Sequence, residues 1–245
     1  MAEPAGPDGR KIALVTGATG GIGRAAAVQL GADGFLVIVH GRNEDRGAET
    51  VAAIEAAGGQ ARFAAADLSD PAGAAGLATQ AGEVDVLVNN AGFSWFGPTA
   101  DLSPDIFDSL FASNVRAAYQ LVAALAPRMA TRGTGSIISI GSMAGQVGLA
   151  GGAAYGATRA ALISLTRSWA AQFSPAGVRV NAVAPGPVYT GGADAARTEA
   201  LGATTLLSRA ARADEIAAVI AFLAGPKASY ITGAVIPVDG GRTAI

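Results

Sequence analysis

Short apolar runs alternate along the chain with longer segments of helical pattern. "KIALVTG" reads as a strand ending in glycine, and "RAAAVQLGADG" as a helix with a glycine stop. "FLVIVHGRN" is a second strand-like run. In "EDRGAETVAAIEAAGG", Val51, Ile54 and Ala57 share one helical face before Gly58 stops the helix. "ARFAAAD" and "VDVLVNNAG" read as the third and fourth strands. "SPDIFDSLFASNVRAAYQLVAALAPRM" opens with a serine cap and a first-turn proline and predicts one long helix. "GSIISIGS" is the fifth strand, and "AAYGATRAALISLTRSWAAQF" a helix closed by Ser174-Pro175. "VRVNAVAPG" is the sixth strand, "ADEIAAVIAFLAG" a late helix, and "AVIPVDGG" the terminal strand.

These strands are apolar throughout, which suits a parallel sheet covered on both faces. Their alternation with helices implies βαβ units. The expectation is a single-domain α/β fold, Rossmann-like and doubly wound, with about seven parallel strands. The domain should cover residues 10–245. The acidic, Pro/Gly-rich opening predicts a disordered tail over 1–9, and no targeting segment is expected. The longest unassigned stretch, about 187–213, is expected to be an irregular lid.

Composition narrows the chemistry. There are 245 residues, 51% hydrophobic and 15% charged, with net charge -2. That balance argues against a nucleic acid or an acidic membrane surface as partner. With no cysteine, disulfides, thiolate catalysis and cysteine metal sites are excluded. One histidine, His40, makes a histidine metal cluster or a Ser-His-Asp triad a poor fit, and a structural role is its ordinary reading. The uncharged stretch 133–158 has eight glycines and would make a poor membrane helix. A cytoplasmic soluble protein is expected. Only Lys11 and Lys227 of the 17 basic residues are lysine; the rest are arginine.

"TGATGGIG" joins the first strand to the first helix. Gly17, Gly21 and Gly23 allow a tight turn that brings backbone N–H groups and a helix N-terminus to a pyrophosphate. Thr19 and Ile22 belong to the same cradle. The second strand ends in His40, Gly41, Arg42 and Asn43. No carboxylate stands there for an adenosine ribose 2′-OH, whereas Arg42 can pair with a 2′-phosphate. NADPH/NADP+ is therefore expected over NADH/NAD+; the alternative for Arg42 is a solvated loop arginine.

The motifs together resemble the short-chain dehydrogenase/reductase family, from about Lys11 to Gly241. They run in order: "TGATGGIG", "NNAG", Ser142, Tyr155, "PGPVYT" and "ITGAVIPVDGG", with 13 residues from Ser142 to Tyr155. The chain is similar to the family's 3-oxoacyl-[acyl-carrier-protein] reductase-like members. The resemblance implies Tyr155 as general acid/base, Ser142 orienting the carbonyl oxygen, and Asn114 holding a water in a proton relay. It implies Asp67 and Leu68 at the adenine, Asn90, Ala91 and Gly92 along the ribose, and Pro185, Gly186, Val188 and Thr190 at the nicotinamide. Taken singly, Ser142 is also readable as a strand-end hydroxyl, Asn114 as a helix-bound amide and Tyr155 as core.

One position departs from the family. Its motif reads Tyr-x-x-x-Lys, and here "YGATR" puts Arg159 in the lysine's place. At i and i+4 on a helix the two side chains share a face. Arginine keeps the charge and can donate to ribose hydroxyls, but it never deprotonates. Arg159 is expected in the active site, either as a drifted lysine in an arginine-rich chain or as the mark of a repurposed site.

The leading functional expectation is an NADPH-dependent reductase acting on a small-molecule carbonyl, reversible toward the alcohol. The alternatives are a cofactor-binding protein of weak or no turnover and a sugar or polyol dehydrogenase. The aromatic "FSWFGP" stretch hints at an apolar or ring-containing substrate and disfavours the sugar reading, though packing under the next helix explains it equally. The resemblance also implies a homotetramer, with a dimer as runner-up, through Ala-rich faces at 115–126 and 157–171.

Overall fold

The structure is a computed structural model and describes residues 9–191 and 194–244. The tail expected over 1–9 falls almost entirely outside the described residues. Seven strands form one all-parallel sheet: β1 (Ile12–Val15), β2 (Leu36–Gly41), β3 (Gln60–Ala65), β4 (Val86–Asn89), β5 (Gly135–Ile140), β6 (Val178–Pro185) and, last in the chain, Val235–Val238. Between β6 and that last strand lie the short β7 (Val188–Tyr189) and β8 (Ala211–Arg212), which pair with each other, so the last strand is β9. The sheet order is β3-β2-β1-β4-β5-β6-β9. The order reverses between β1 and β4, and a crevice opens there at the carboxyl ends of the strands.

Strand alternation sends side chains to two cores. Ile12 and Leu14 join one cluster with α3 (Pro71–Ala81), α5 (Ala117–Arg132) and α6 (Ala153–Phe173). Ala13 and Val15 join the other with α1 (Gly21–Ala32), α2 (Glu44–Ala56) and α8 (Ala213–Ala224). Both faces of the sheet are thus covered, as its uninterrupted apolar strands require.

Four local features differ from the sequence pattern. Helix α3 lies in a stretch of Ala and Gly whose apolar positions mark no face; Asp70 caps it, its side chain accepting from Ala72 N–H at 2.9 Å, and Pro71 opens it. The long helix is divided: α4 (Pro104–Phe111) runs through a π-helical turn, Ala112–Arg116, into α5. Ser103 caps its start as expected, accepting from Ile106 N–H at 3.3 Å. Ala57 falls one residue beyond α2 and is exposed, so Ile54 alone of its trio is fully buried. The stretch expected to be irregular carries β7, β8 and a helix, α7 (Ala195–Gly202).

Candidate active site

The Gly-rich turn after β1 is set by contacts between main chains. Gly17 and Gly21 have φ of 63° and 51°, which favours glycine. A Cβ on Gly17 would stand 2.9 Å from Ala91 Cα, and one on Gly23 would stand 2.3 Å from the Gly17 carbonyl oxygen. Gly23 therefore serves the packing of α1 against the turn and does not line the cleft. Gly20, the N-cap of α1, offers no side-chain cap, and the first turn holds no acidic residue. Its N–H groups and the positive end of the helix dipole face the crevice, where they suit a pyrophosphate.

Side chains behind the turn hold it in place. Thr16 Oγ1 accepts from the Asn90 and Ala91 N–H groups at 2.9 and 3.0 Å, and donates to Val88 O at 3.1 Å. Asn90 Nδ2 donates to the carbonyls of Thr16 and Gly17 at 2.8 and 3.1 Å. His40 is buried between the turn and the end of β3. Its Nδ1 accepts from Gly17 N–H at 3.1 Å, and its Nε2 meets Ala66 O at 3.2 Å. Those partners fix the neutral, Nε2-protonated ring. Burial pushes the His40 pKa below its ordinary value; the bond to Ala66 O opposes this in part, and the charges of Arg42 and Asp67 add smaller lowering and raising effects. His40 lines the crevice but spends both nitrogens on the protein, so its part is to brace the turn.

One half of the crevice is a cleft of ≈ 470 Å³ bordered by Thr19, Arg42, Asp67, Leu68 and Ser69. Asp67 Oδ1 accepts from Ser69 N–H and Oγ–H at 2.9 and 2.8 Å; these bonds hold the carboxylate ionised and leave Oδ2 for a ligand. Asn43 does not border this cleft. Its side chain caps α2, accepting from Arg46 N–H at 2.9 Å. That cap starts the helix turn on which Arg46 returns to the crevice, and Arg46 borders both of its halves. Sequence reasoning passed over Thr16 and Arg46.

The second half, ≈ 510 Å³, brings together Ser142, Tyr155, Arg159 and the 185–190 loop. Pro185 closes β6, and a Cβ on Gly186 would come 2.7 Å from Asp239 Cα, which pins the loop. Val188 and Thr190 face the cleft, with Thr190 packed against Gly21. Ile22, Ala91 and Gly92 complete its floor. Ser142 Oγ accepts from Ala144 N–H at 3.1 Å, leaving its own hydrogen to donate elsewhere. Among the described residues the Tyr155 hydroxyl has no hydrogen-bond partner.

Arg159 is 6% exposed. Its Nη1 donates to Ile140 O at 2.9 Å, and its Cζ lies 5.0 Å from the centre of the Tyr155 ring. A Cβ on Gly92 would stand 3.0 Å from Nη2 and 2.4 Å from Asn114 Oδ1, so both side chains need a glycine there. Asn114 stands behind the cleft on the π turn. Its Oδ1 accepts from Phe93 N–H at 3.0 Å; its Nδ2 donates to Phe93 O at 2.9 Å and Thr158 Oγ1 at 3.1 Å. With the amide committed in this way, the side chain of Asn114 fixes the strand-end loop against α6.

Phe96, from the "FSWFGP" stretch, lies with its ring centre 5.5 Å from that of Tyr155, tilted by 53°. Arg197 of α7 stacks on Phe96 from outside, its Cζ 4.0 Å from the ring centre. Among the described residues no helix is long and apolar enough to cross a membrane, and no His/Asp/Glu cluster could hold a metal ion.

Known proteins share this arrangement. The family model described as short chain dehydrogenase matches residues 11–201. An uncharacterized oxidoreductase of Thermotoga maritima is 35% identical over 246 residues, covering 96% of this chain and 98% of that protein. The 3-oxoacyl-[acyl-carrier-protein] reductase FabG of Staphylococcus aureus is 37% identical over 239 residues, covering 94% and 97%. Among solved structures, the angucycline C-6 ketoreductase LanV with bound NADP superimposes with a TM-score of 0.89 at 34% identity, covering 96% of both chains. A blue fluorescent protein from a metagenomic library, in complex with NADPH, gives 0.89 at 38% identity, covering 95% and 97%. On its fold, its crevice and these matches, the chain belongs to the short-chain dehydrogenase/reductase family and is an NAD(P)-dependent oxidoreductase.

Proposed function

We propose that the protein is an NADPH-dependent reductase of ketones or aldehydes, with Tyr155 as general acid. One observation carries this reading: the unpartnered Tyr155 phenol and the Ser142 hydroxyl open onto the same cleft as the Gly-rich turn. The residues fit the dinucleotide. The uncapped start of α1 suits the pyrophosphate. Arg42 and Arg46 suit a 2′-phosphate, Asp67 the adenine amino group, and the 185–190 loop the nicotinamide. Bound NADPH supplies the hydride that reduces the carbonyl carbon.

The chain's own groups manage the oxygen. Ser142 donates a hydrogen bond to it and holds it in place. Tyr155 transfers the phenolic proton as negative charge builds there. The Arg159 guanidinium, tethered to Ile140 O, stabilises the phenolate left behind. Because arginine does not deprotonate, the proton that restores Tyr155 has to come from cleft water. The test is a panel of ketones, aldehydes and quinones with NADPH and with NADH, followed by cofactor absorbance. NADPH-dependent reduction of at least one class is expected.

The arginine at position 159 favours a second reading, a cofactor-binding protein of weak turnover. The two separate on Arg159→Lys. An increase in kcat with NADPH binding retained marks a working site in which lysine relays better. No turnover in either form on the whole panel, with NADPH bound, supports the second reading.

The same proposal includes a homotetramer. It is supported by small residues on α5 and α6 and by exposed Phe107 and Tyr119 beside them. Light scattering at micromolar concentration tests it, and a monomer would refute it.

A further inference from the structure

We infer that Phe96 is a positioning residue for Tyr155: its ring holds the phenol in the direction from which the proton is delivered, and it does so without touching substrate. This rests on the reading of Tyr155 as general acid and adds the residue that aims it. The first observation is a gap in the helix that carries Tyr155. A long side chain on a helix lies back over the preceding turn, against the side chains three and four positions earlier. For Tyr155 those positions are Gly152 and Gly151, which have none, and its nearest neighbours in sequence are Ala153, Ala154, Gly156 and Ala157. The start of α6 therefore offers the ring no bulky neighbour of its own.

The second observation is what fills that gap. Phe96 comes from the loop after β4, and its ring centre lies 5.5 Å from that of Tyr155. It stands where the missing side chain would be: a Cβ on Gly152 would come 3.1 Å from Phe96 Cε1. The loop is fastened to the same helix start, since Gly97 N–H donates to Gly151 O at 3.0 Å. Arg197 covers Phe96 in turn, with its Cζ 4.0 Å from the ring centre, and the turn that carries it is capped by Asp194. The Arg159 guanidinium, 5.0 Å from the centre of the Tyr155 ring, is the other group that bears on it. The Tyr155 hydroxyl has no hydrogen-bond partner among the described residues. Contacts along the ring, rather than a bond at the oxygen, thus set its direction before substrate arrives. Phe96 does not border the cleft that holds Ser142 and Tyr155, so it acts through Tyr155.

The experiment measures kcat and KM for Phe96→Ala, Phe96→Leu and Phe96→Tyr, with NADPH and the carbonyl compound of the panel that the wild type reduces fastest. Crystal structures of the wild type and of Phe96→Ala accompany it. Phe96→Ala should lower kcat by about 10- to 100-fold, the cost of a misaimed reacting group. KM, NADPH affinity and thermal unfolding should stay near the wild type. Phe96→Tyr keeps the flat ring and should restore most of kcat, and Phe96→Leu, with bulk but no flat face, should fall between the two. An unchanged kcat in Phe96→Ala overturns the proposal. So does a rise in KM alone, which would make Phe96 a substrate contact, and so does a loss of kcat that runs with a loss of NADPH binding, which would make it a support of the fold. If no compound is reduced, the reductase reading has failed and the crystal structures decide the positioning role. A Tyr155 hydroxyl displaced by about an ångström in Phe96→Ala, or spread over more than one rotamer, supports it. A hydroxyl in the same place in both structures overturns it.

Discussion

The two halves of the crevice are built from different materials. At the dinucleotide half, main chain presses on main chain: Gly17 against Ala91, Gly23 against Gly17. Buried bonds from Thr16, Asn90 and His40 hold the turn from behind. In the half that holds Ser142 and Tyr155, the contacts are ring faces and guanidinium planes, and the two hydroxyls have hydrogens left over. The Gly-rich turn of the first half presents atoms that every residue type carries, so a substitution in the turn acts by moving the backbone. The second half holds its ligand with side chains that can be exchanged one at a time. The difference teaches where change is cheap: substrate choice can be altered without rebuilding the cofactor seat.

That contrast can be broken most sharply at Tyr155. Tyr155→Phe should lower kcat by about 10²- to 10⁴-fold, the worth of general acid help, while NADPH titrated by fluorescence binds as before. Surviving turnover would remove Tyr155 from the chemistry. On the backbone side, Gly23→Ala forces a methyl into the Gly17 carbonyl and the Asn90 amide, both under 2.5 Å from the new carbon. It should cost about 1–3 kcal/mol of stability in urea unfolding and weaken both cofactors together. Arg42→Ala should weaken NADPH alone, by about 10- to 100-fold, because one charge-assisted pair is lost; equal losses for NADH and NADPH would argue against a 2′-phosphate contact.

The smallest effect is a pH dependence through His40. Its folded pKa lies below the ordinary 6.5, so on acidification the unfolded chain binds the proton first. The contribution is complete above about pH 6.5 and is lost as pH falls through the folded value. A protonated ring also cannot accept from Gly17 N–H, so the cofactor turn loses its brace in the same window. Thermal unfolding of wild type should drop by a few degrees more than His40→Asn between neutral and mildly acidic pH. Arg42 and Asp67 both face this ring and pull its titration in opposite directions, so Asp67→Asn should move the window further toward acid.

The order of strands and helices was readable because buried parallel strands are apolar from end to end, and glycine or proline marks most of their ends. Helix α3 escaped because Ala and Gly fill it without marking a face, although Asp70-Pro71 announced its start. In the site, the glycines and the Tyr155–Arg159 pair were visible as spacing. What spacing could not convey is where a polar atom spends its bonds. Asn43 turned inward to a helix cap, Asn114 to the backbone of Phe93, and His40 to Gly17 and Ala66. Arg197 was equally opaque, because its meeting with Phe96 joins segments about a hundred residues apart.

The π turn between α4 and α5 has a consequence for deletions. A π turn holds one residue more than the α-helix around it, so a chain shortened by Ser113 could close into an unbroken helix. Such a helix would gain regular hydrogen bonding. It would leave α4 and α5 near their present alignment, since the wider turn already takes up the extra residue, but would redirect the side chains within that turn, Asn114 among them. Asn114 and the Phe93 loop would then part company. The single-residue deletion is therefore a case in which the rod can become more regular, and the protein less functional, by the same event.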